Sequence, residues 1–333
     1  MTAELEGAPA LSEAYDVALL DLDGVVYLGK DPAPYAVDSL AAAREAGMRL
    51  AFVTNNASRS PADVVAQLDA LGIAVDVEEV VTGAQAAAGL LAQRLSRGDA
   101  VLVTGTAALA AEIEAVGLRV VTSADDHPKA VVMGYDPTID YPRLAEAAVA
   151  IRRGALFVAS NLDATLPTPR GPLPGMGSLA ALVTTATGQQ PVVAGKPERP
   201  LFDQSVERTR ASKPIVVGDR VDTDIEGANR AGLQSLLVLT GVTDVLAAAT
   251  APAEQRPTFV SQDLRGLNQP HHAAREGRCG TAVAEYDEPT RRIVVRDPGD
   301  DPSETLAAMI TAGWAATDQG LAVEGVEDPG RRM

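Results

Sequence analysis

With 333 residues, of which 46% are hydrophobic, the chain is long enough for two domains or for one large domain with an insertion. A formal net charge of -17 argues against nucleic acid or an anionic membrane as the main partner, and no apolar run is long enough for a membrane helix. The single cysteine, Cys279, excludes a disulfide within the chain and fits a reducing, cytoplasmic environment.

Short strands and helices alternate through the first part of the chain. Residues 1–13 are acidic and rich in alanine, lack the pattern of a secretory signal, and are expected to form a frayed leader. Apolar runs over Tyr15–Asp21 and Leu50–Thr54 predict two buried parallel strands. Ala36–Ala46 and Ser60–Leu71 predict helices, the second because Ser-Pro is a favourable start. This order predicts a doubly wound α/β fold with a parallel sheet, in which ligands bind at the carboxyl ends of the strands.

The middle of the chain carries a second set of elements, after which the first pattern resumes. We therefore predict a core made of residues 1–81 and 185–267, interrupted by an inserted α/β domain of residues 82–184. The insertion is predicted to have strands at 101–103, 130–133 and 156–159 and helices at 107–116 and 141–153. The returning core is predicted to have a helix opening at Pro200, strands at 214–218 and 235–239, and a helix at 223–231.

Residues 268–333 differ in composition and predict a small C-terminal extension of the β-β-α type. A hairpin is expected over Thr281–Tyr286 and Ile293–Val295, a helix over Ser303–Thr317, and disorder at the acidic end. A piece of this size buries too little apolar surface to be stable alone, so we expect it to dock on the core. Its role stays open, with a stabilising or dimerising role as the simplest.

The segment Asp21-Leu22-Asp23-Gly24 lies at the end of the first predicted strand. Residues two apart share a face of a strand, and Gly24 permits the turn that follows, so the two carboxylates can converge on one site. A polar turn is the alternative interpretation of such a segment. An EF-hand calcium loop is excluded, because the ligand positions that follow hold Val, Tyr, Gly and Pro.

Two further segments could bind phosphate. Thr54, Asn55 and Asn56 follow the second strand and offer a hydroxyl, two amides and backbone N–H groups to phosphate oxygens. Lys196 stands between Gly195 and a proline, on a constrained backbone where its charge can offset that of a phosphate. Taken alone, such segments are more often a polar turn and an exposed lysine.

A fourth segment, from Gly218 to Asp224, carries three carboxylates in six residues directly after a predicted strand. These charges repel one another unless a cation or water intervenes. Asp219 is the better metal ligand, because it follows the strand at once, whereas Asp222 or Thr223 can cap the next helix.

Taken in chain order, the four segments resemble the four motifs of the haloacid dehalogenase (HAD) superfamily of phosphatases, over about Tyr15–Leu267. The insertion resembles the large α/β cap of the NagD-like branch of that superfamily. Ser160-Asn161-Leu162-Asp163, followed by a Pro- and Gly-rich stretch from Pro167, resembles the return from cap to core. With its C-terminal region, the whole chain looks most like the actinobacterial glycerol 3-phosphate phosphatases of this branch.

The resemblance implies a Rossmann-like core and a magnesium-dependent phosphomonoesterase that forms an aspartyl-phosphate. Asp21 is then the nucleophile and Asp23 the general acid and base. Mg²⁺ is expected on Asp21, the backbone carbonyl of Asp23 and Asp219, with Asp224 ordering a metal-bound water. The expected phosphate ligands are Thr54, Asn55 and Lys196, with Asn56 close by. Candidates for substrate contacts in the cap are Asn161, Asp163 and Arg170.

A carboxylate nucleophile fits the scarcity of histidine, because His127, His271 and His272 lie outside the four segments and His127 is expected on the surface. Cys279 lies in no recognisable motif and is interpreted as structural. A dehalogenase would need neither Asp23 nor the metal site, and a non-catalytic binding protein would need no complete set of motifs.

The expected substrate is a small phosphomonoester, and glycerol 3-phosphate is implied by the resemblance alone. A sugar phosphate, phosphoglycolate, a nucleotide and pyridoxal phosphate are the alternatives. A homodimer through the cap or the C-terminal extension is expected as well.

Overall fold

The computed structural model describes residues 9–166, 168 and 170–327. Most of the predicted leader, the end of the acidic terminus, and two prolines of the stretch from Pro167 lie outside the described residues. The chain forms two compact units: the first unit is Met1–Phe52 with Arg210–Met333, and the second unit is Val53–Thr209. The domain limits predicted at residues 82 and 184 lie within the second unit and stay a prediction.

The strands of the described residues are, in chain order, β1 (Val17–Leu20), β2 (Tyr27–Leu28), β3 (Asp31–Pro32), β4 (Arg49–Thr54), β5 (Val80–Thr82), β6 (Ala100–Thr104), β7 (Arg119–Val121), β8 (Ala130–Met133), β9 (Leu156–Ala159), β10 (Thr165–Leu166), β11 (Leu173–Pro174), β12 (Val192–Val193), β13 (Pro214–Gly218), β14 (Gln234–Val238), β15 (Phe259–Ser261), β16 (Arg278–Cys279), β17 (Ala282–Asp287), β18 (Arg292–Asp297) and β19 (Gly325–Glu327). The α-helices are α1 (Leu11–Ala14), α2 (Ala36–Glu45), α3 (Pro61–Ala70), α4 (Gly83–Ala92), α5 (Ala107–Ala115), α6 (Tyr141–Arg152), α7 (Met176–Thr187), α8 (Arg199–Thr209), α9 (Glu226–Ala231), α10 (Val245–Ala249) and α11 (Pro302–Asp318).

The first unit contains parallel strands in the order β15-β14-β13-β1-β4. All four residues of β1 are buried, as its uniformly apolar sequence predicts. The chain moves from β1 to β4 on one side and resumes at β13 on the other. The strand order therefore reverses at β1, the place where open α/β sheets bind ligands. The predicted parallel α/β class is confirmed.

Local chemistry sets the ends of helix α3. The Ser60 hydroxyl accepts the Asp63 N–H at 3.2 Å, and the Asp63 carboxylate accepts the Ser60 N–H at 3.0 Å. Pro61 takes the first helical position, where the missing N–H costs nothing. Beyond the helix Gly72 adopts φ +81°, a left-handed conformation that ends it. The helix predicted from Ser-Pro is confirmed.

The second unit has a parallel sheet of its own, in the order β12-β9-β8-β6-β7. Apolar side chains of this sheet pack against α6 and α7, with Phe157, Ile151 and Met176 among the buried residues. Between β9 and α7 the chain forms a short antiparallel pair, β10 and β11. The α/β character predicted for the insertion is confirmed.

The C-terminal extension packs on the rest of the first unit, as predicted. Its antiparallel strands β16, β17 and β18 are joined by β19, which runs parallel to β18. Leu306 and Ile310 of α11 share one buried cluster with Leu237 and Val260 of the first unit's parallel sheet, called the large sheet below. The extension completes its apolar core by sharing that of the large sheet, because its own elements are too few.

Three details of the sequence prediction are wrong. Leu11, assigned to a frayed leader, begins helix α1 and is 3% exposed, because α1 contacts the helical turn Leu264–Asn268. Gly325–Glu327, assigned to disorder, pairs with β18. The helix predicted from Thr223 starts at Glu226, after one π-helical turn over Val221–Ile225 that no side chain caps.

No helix in the described ranges is both long and apolar enough to cross a membrane.

Candidate active site

Asp21 and Asp219 lie at the ends of neighbouring parallel strands. The register pairs Leu20 of β1 with Val217 of β13, and the Asp21 N–H donates to the Val217 carbonyl at 2.8 Å. Asp219 follows the last residue of β13, Gly218. Because parallel strands end at the same edge of the sheet, the two carboxylates meet there, as the sequence predicts.

A third carboxylate completes a cluster. One oxygen from each of Asp21, Asp219 and Asp224 lies within 4.8 Å of the others, and the last two residues are each 1% exposed. Three carboxylates this close, two of them buried, repel one another strongly unless a cation binds between them. Oxygen ligands of this kind suit Mg²⁺, so the residues present fit the predicted ion.

Close packing fixes the Asp219 carboxylate against two glycines. A Cβ on Gly24 would lie 2.3 Å from Asp219 Oδ2, and a Cβ on Gly241 would lie 2.0 Å from the same oxygen. Gly24 also has φ +88°. Any side chain at either position would therefore displace the carboxylate.

The loop after β14 supports the same residue, and the sequence reasoning missed it. The Val242 N–H donates to Asp219 Oδ2 at 2.7 Å, and the Thr243 N–H donates to the Asp219 carbonyl at 3.1 Å. The Thr243 hydroxyl accepts the Val221 N–H at 3.3 Å. Its signal in the sequence was the polar, Gly-containing run Thr-Gly-Val-Thr directly after a buried strand.

Asp222 stands apart from the carboxylate cluster and does not cap a helix. Two hydrogen bonds of 3.0 and 2.8 Å join its carboxylate to the Arg220 guanidinium. Burial raises the pKa of Asp222, but the hydrogen bonds and charge of Arg220 outweigh this and leave the pKa below its usual value.

Asp23 is exposed at the start of a tight turn, and a second residue that sequence reasoning missed contacts it. The Tyr27 hydroxyl donates to Asp23 Oδ2 at 3.0 Å. The sequence pattern did not indicate Tyr27, because the contact of its hydroxyl with Asp23 depends on how the turn between them folds.

In the second unit, the Asn55 side chain forms two hydrogen bonds with the backbone of Lys196. Asn55 Oδ1 accepts the Lys196 N–H at 2.7 Å, and Asn55 Nδ2 donates to the Lys196 carbonyl at 3.2 Å. A Cβ on Gly195 would lie 2.5 Å from Asn55 Oδ1, which explains the glycine. Lys196 and Thr54 are buried, at 4% and 6% exposure. Three of the four predicted phosphate ligands are therefore linked. Thr54 and Asn55 are adjacent in the sequence, and the Asn55 side chain bonds the backbone of Lys196.

Asn56 is used within its own loop. Its Oδ1 accepts both the Ser58 N–H and the Ser58 hydroxyl at 2.7 Å, and its N–H donates to the Thr54 hydroxyl at 3.1 Å. These bonds shape the turn after β4.

Two of the candidate cap residues join the network around Asn55. The Asn161 amide donates to the Asn55 carbonyl at 2.9 Å, and Asp163 Oδ2 accepts from Asn55 Nδ2 at 3.4 Å. Arg170 is exposed in the turn between β10 and β11, apart from this network in the hydrogen bonds of the described residues. A Cβ on Gly175 or Gly177 would lie 2.3 Å from a backbone oxygen of the loop that carries Asp163, which accounts for both glycines.

The three histidines and the cysteine lie elsewhere. His127 is exposed, as predicted, and His271 and His272 belong to the segment before β16, where His271 Nε2 bonds the Gly266 carbonyl at 2.8 Å. Cys279 is buried, and burial raises the pKa of its thiol to about 11. A thiol held in this way is not a nucleophile at neutral pH, in keeping with a structural role.

Two family models match the chain. Residues 18–119 match the haloacid dehalogenase-like hydrolase model, and residues 193–267 match the HAD-hydrolase-like model. Together these ranges contain the four segments that carry the predicted chemistry.

Individual relatives agree with the family models. The chain is 52% identical over 260 residues to the D-glycerol 3-phosphate phosphatase of Mycobacterium tuberculosis, covering 78% of this chain and 73% of the relative. It is 38% identical over 233 residues to the 5'-nucleotidase YutF of Bacillus subtilis, covering 69% and 90% of the two chains.

A solved structure extends the similarity to the whole chain. The crystal structure of glycerol phosphate phosphatase from Mycobacterium tuberculosis in complex with magnesium superposes with a TM-score of 0.87 at 45% identity, covering 97% of each chain. From the carboxylate geometry and these similarities, the chain belongs to the haloacid dehalogenase-like hydrolases and is a phosphatase of that family.

Proposed function

We propose that the enzyme hydrolyses glycerol 3-phosphate to glycerol and inorganic phosphate, with Mg²⁺ and through an aspartyl-phosphate on Asp21. The observation that carries the chemistry is the close cluster of Asp21, Asp219 and Asp224 after β1 and β13, of which the last two are buried. The similarity to the Mycobacterium glycerol phosphate phosphatase structure, which includes the C-terminal extension, supports the substrate.

In the first step, a carboxylate oxygen of Asp21 attacks phosphorus. The new O–P bond forms as the bond between phosphorus and the glycerol oxygen breaks, and Asp23 gives its proton to that oxygen. Glycerol leaves as a neutral alcohol, and the phosphoryl group remains on Asp21.

In the second step, water takes the place of the alcohol. Asp23, now a carboxylate, removes a proton from the water as its oxygen bonds to phosphorus, and the bond from phosphorus to Asp21 breaks. Phosphate leaves, Asp21 is again a carboxylate and Asp23 again carries a proton.

Asp21, Asp219 and the backbone carbonyl of Asp23 would hold Mg²⁺, with Asp224 close enough to order a bound water. When bound, the ion offsets the negative charge that nucleophile and phosphate bring together. The Gly24 and Gly241 contacts keep Asp219 in place for this role.

We propose that Thr54, Asn55 and Lys196 bind the transferring phosphoryl group, with Asn56 shaping their loop. All three residues lie in the second unit, where Thr54 ends β4 and the Asn55 side chain accepts the Lys196 N–H at 2.7 Å. A buried ammonium on Lys196 would compensate phosphate charge that the acidic chain otherwise repels.

We propose further that residues 82–184 act as the cap that selects the substrate. Asn161, Asp163 and Arg170 remain its candidate contacts. The similarity to a 5'-nucleotidase keeps a nucleotide as the second candidate substrate. Sugar phosphates, phosphoglycolate and pyridoxal phosphate complete the set that the experiment must compare.

The test is a phosphate-release assay with Mg²⁺ on these esters, run on the wild-type enzyme and on Asp21→Asn. We expect glycerol 3-phosphate to give the highest kcat/KM, and Asp21→Asn to lose activity on every ester by roughly 10⁴-fold or more, because the amide cannot attack phosphorus. Circular dichroism should show an unchanged fold.

Asp222→Asn is the matched control, since it removes a carboxylate of the same region that is paired with Arg220 and lies outside the cluster. It should keep most of the activity. Substantial turnover by Asp21→Asn would refute the nucleophile, whereas a higher kcat/KM for another ester would refute only the substrate.

We also propose that the enzyme is cytoplasmic, because a reducing compartment fits its single cysteine. A homodimer through the cap or the C-terminal extension would be recognised by sedimentation of the purified enzyme.

A further inference from the structure

We propose that Tyr27 is a positioning residue for Asp23, and that its hydroxyl holds the acid–base carboxyl in the orientation that delivers a proton to an alkoxide leaving group. The inference rests on the aspartyl-phosphate chemistry proposed above. It gives a role to a side chain outside all of the residues assigned to nucleophile, metal or phosphate.

The hydrogen bond joins a fixed group to an exposed one. The Tyr27 hydroxyl donates to Asp23 Oδ2 at 3.0 Å, while Tyr27 itself is only 5% exposed. Asp23 is exposed, and a solvated aspartate side chain samples several rotamers. A buried phenol has lost that freedom, so its hydrogen bond favours the orientation of the carboxyl group in which Oδ2 faces Tyr27.

The backbone explains why Tyr27 is in place. Its N–H donates to the Leu22 carbonyl at 3.1 Å, and its carbonyl accepts the Gly24 N–H at 2.9 Å. Tyr27 also pairs with Pro32 across the short antiparallel β2–β3 pair. The turn after Asp21 therefore closes on itself and returns the phenol to the carboxyl group four residues earlier.

Proton delivery matters differently for different esters. When the bond between phosphorus and the glycerol oxygen breaks, the leaving alkoxide is strongly basic and needs the proton of Asp23. When 4-nitrophenyl phosphate reacts with Asp21, the nitrophenolate leaves as a stable anion and needs little protonation. A carboxyl group that is misoriented should therefore slow the alkyl ester far more than the aryl ester.

The experiment compares Tyr27→Phe with the wild-type enzyme on glycerol 3-phosphate and on 4-nitrophenyl phosphate. The parameter is kcat/KM, because it covers the steps up to loss of the leaving group. We expect the loss on glycerol 3-phosphate to exceed the loss on 4-nitrophenyl phosphate by about tenfold. Equal losses on both esters, or no loss, would overturn the proposal.

The ratio of the two kcat/KM values does not depend on the fraction of enzyme that is folded, so partial unfolding cannot imitate the effect. If Tyr27→Phe hydrolyses neither ester, Tyr27→His is judged by the same ratio, because its ring ends short of the phenol oxygen. Tyr286→Phe, which removes a hydroxyl that donates to the Ala322 carbonyl in the extension, should leave the ratio unchanged.

A double mutant separates action through Asp23 from any other route. In an Asp23→Asn background, Tyr27→Phe should leave the ratio where Asp23→Asn alone puts it, and a further change there would contradict positioning of Asp23. Wild-type enzyme that hydrolyses neither ester would refute the proposed function, whereas active wild-type enzyme with an unchanged ratio in Tyr27→Phe would refute only the role of Tyr27.

Discussion

Asn55 fixes the backbone of Lys196, the residue proposed to neutralise the charge of the phosphate. Both halves of the Asn55 amide are used, Oδ1 on the Lys196 N–H and Nδ2 on its carbonyl. The Asn55 carbonyl is held in turn by Asn161. Beside the contact with phosphate that is proposed for Asn55, its side chain holds the Lys196 backbone, a contact that the sequence did not predict.

Asn55→Ala should therefore lower kcat/KM for phosphomonoesters by about tenfold or more, since it removes both bonds to the Lys196 backbone. Steady-state kinetics with Mg²⁺ measure this. Asn56→Ala is the matched neighbour, because among the described residues its side-chain amide bonds within its own turn, and it should lower kcat/KM less. Activity of Asn55→Ala within twofold of wild type would contradict the positioning role.

At the scale of elements, two segments that bring no catalytic group support those that do. The loop after β14 places two backbone N–H groups on Asp219. Helix α11 ties the extension to the large sheet, where its Gly313 lies against α10: a Cβ there would be 2.4 Å from the Ala249 carbonyl. The Trp314 indole donates to the adjacent Ala248 carbonyl at 2.8 Å.

Gly313→Ala should lower the free energy of unfolding by about 1–3 kcal/mol. The new methyl group would meet the Ala249 backbone, which cannot move aside as a flexible side chain can. Gly89→Ala is the matched helical control: the nearest atom to its Cβ would be a Gln204 side-chain nitrogen at 3.6 Å, so higher helix propensity should leave stability equal or increased by about 0.5–1 kcal/mol. Urea unfolding measures both. Equal effects of the two substitutions would show that α11 does not need this close approach.

For the whole molecule, the extension completes the packing of the first unit. Ile293 of β18 and Ile310 of α11 lie in one cluster with Leu237 of the large sheet. Cys279 is buried in the same cluster, and burial, aided by Glu304 and Asp301, raises the pKa of its thiol from 9.0 to about 11. The titration of Cys279 therefore reports on whether the extension is docked.

The stability of the fold should fall at alkaline pH, because the Cys279 thiol keeps its proton to higher pH in the folded chain than in the unfolded chain. Unfolded chains lose the thiol proton near pH 9.0, whereas the folded protein keeps it to about 11, so the free energy of unfolding should fall as pH rises through this window. Cys279→Ala lacks this contribution, so the stability advantage of wild type over the variant should narrow between these pH values in urea titrations. A constant difference would show that the thiol is not buried in solution.

Much of the fold could be predicted because its signals are local. Uniformly apolar runs predicted β1, β13 and their neighbours, and a Ser-Pro pair predicted α3. The order of strand-end segments placed Asp21 and Asp219 together, since parallel strands share an edge. The ends of elements were harder: burial of Leu11 and pairing of Gly325–Glu327 depend on distant partners, so composition alone assigned them to disorder.

By itself, the sequence determined the class of fold and put the candidate carboxylates at strand ends, because apolar runs and spacing along the chain carry that information, while the family resemblance implied a phosphatase. Only the tertiary structure decided what holds those residues: Val242 on Asp219, Tyr27 on Asp23, and Asn55 on Lys196. Asn55 and Lys196 are 141 residues apart, and Val242 is 23 residues from Asp219. Contacts between residues so far apart are created by the packing of strands and loops, and no periodicity in the sequence records them.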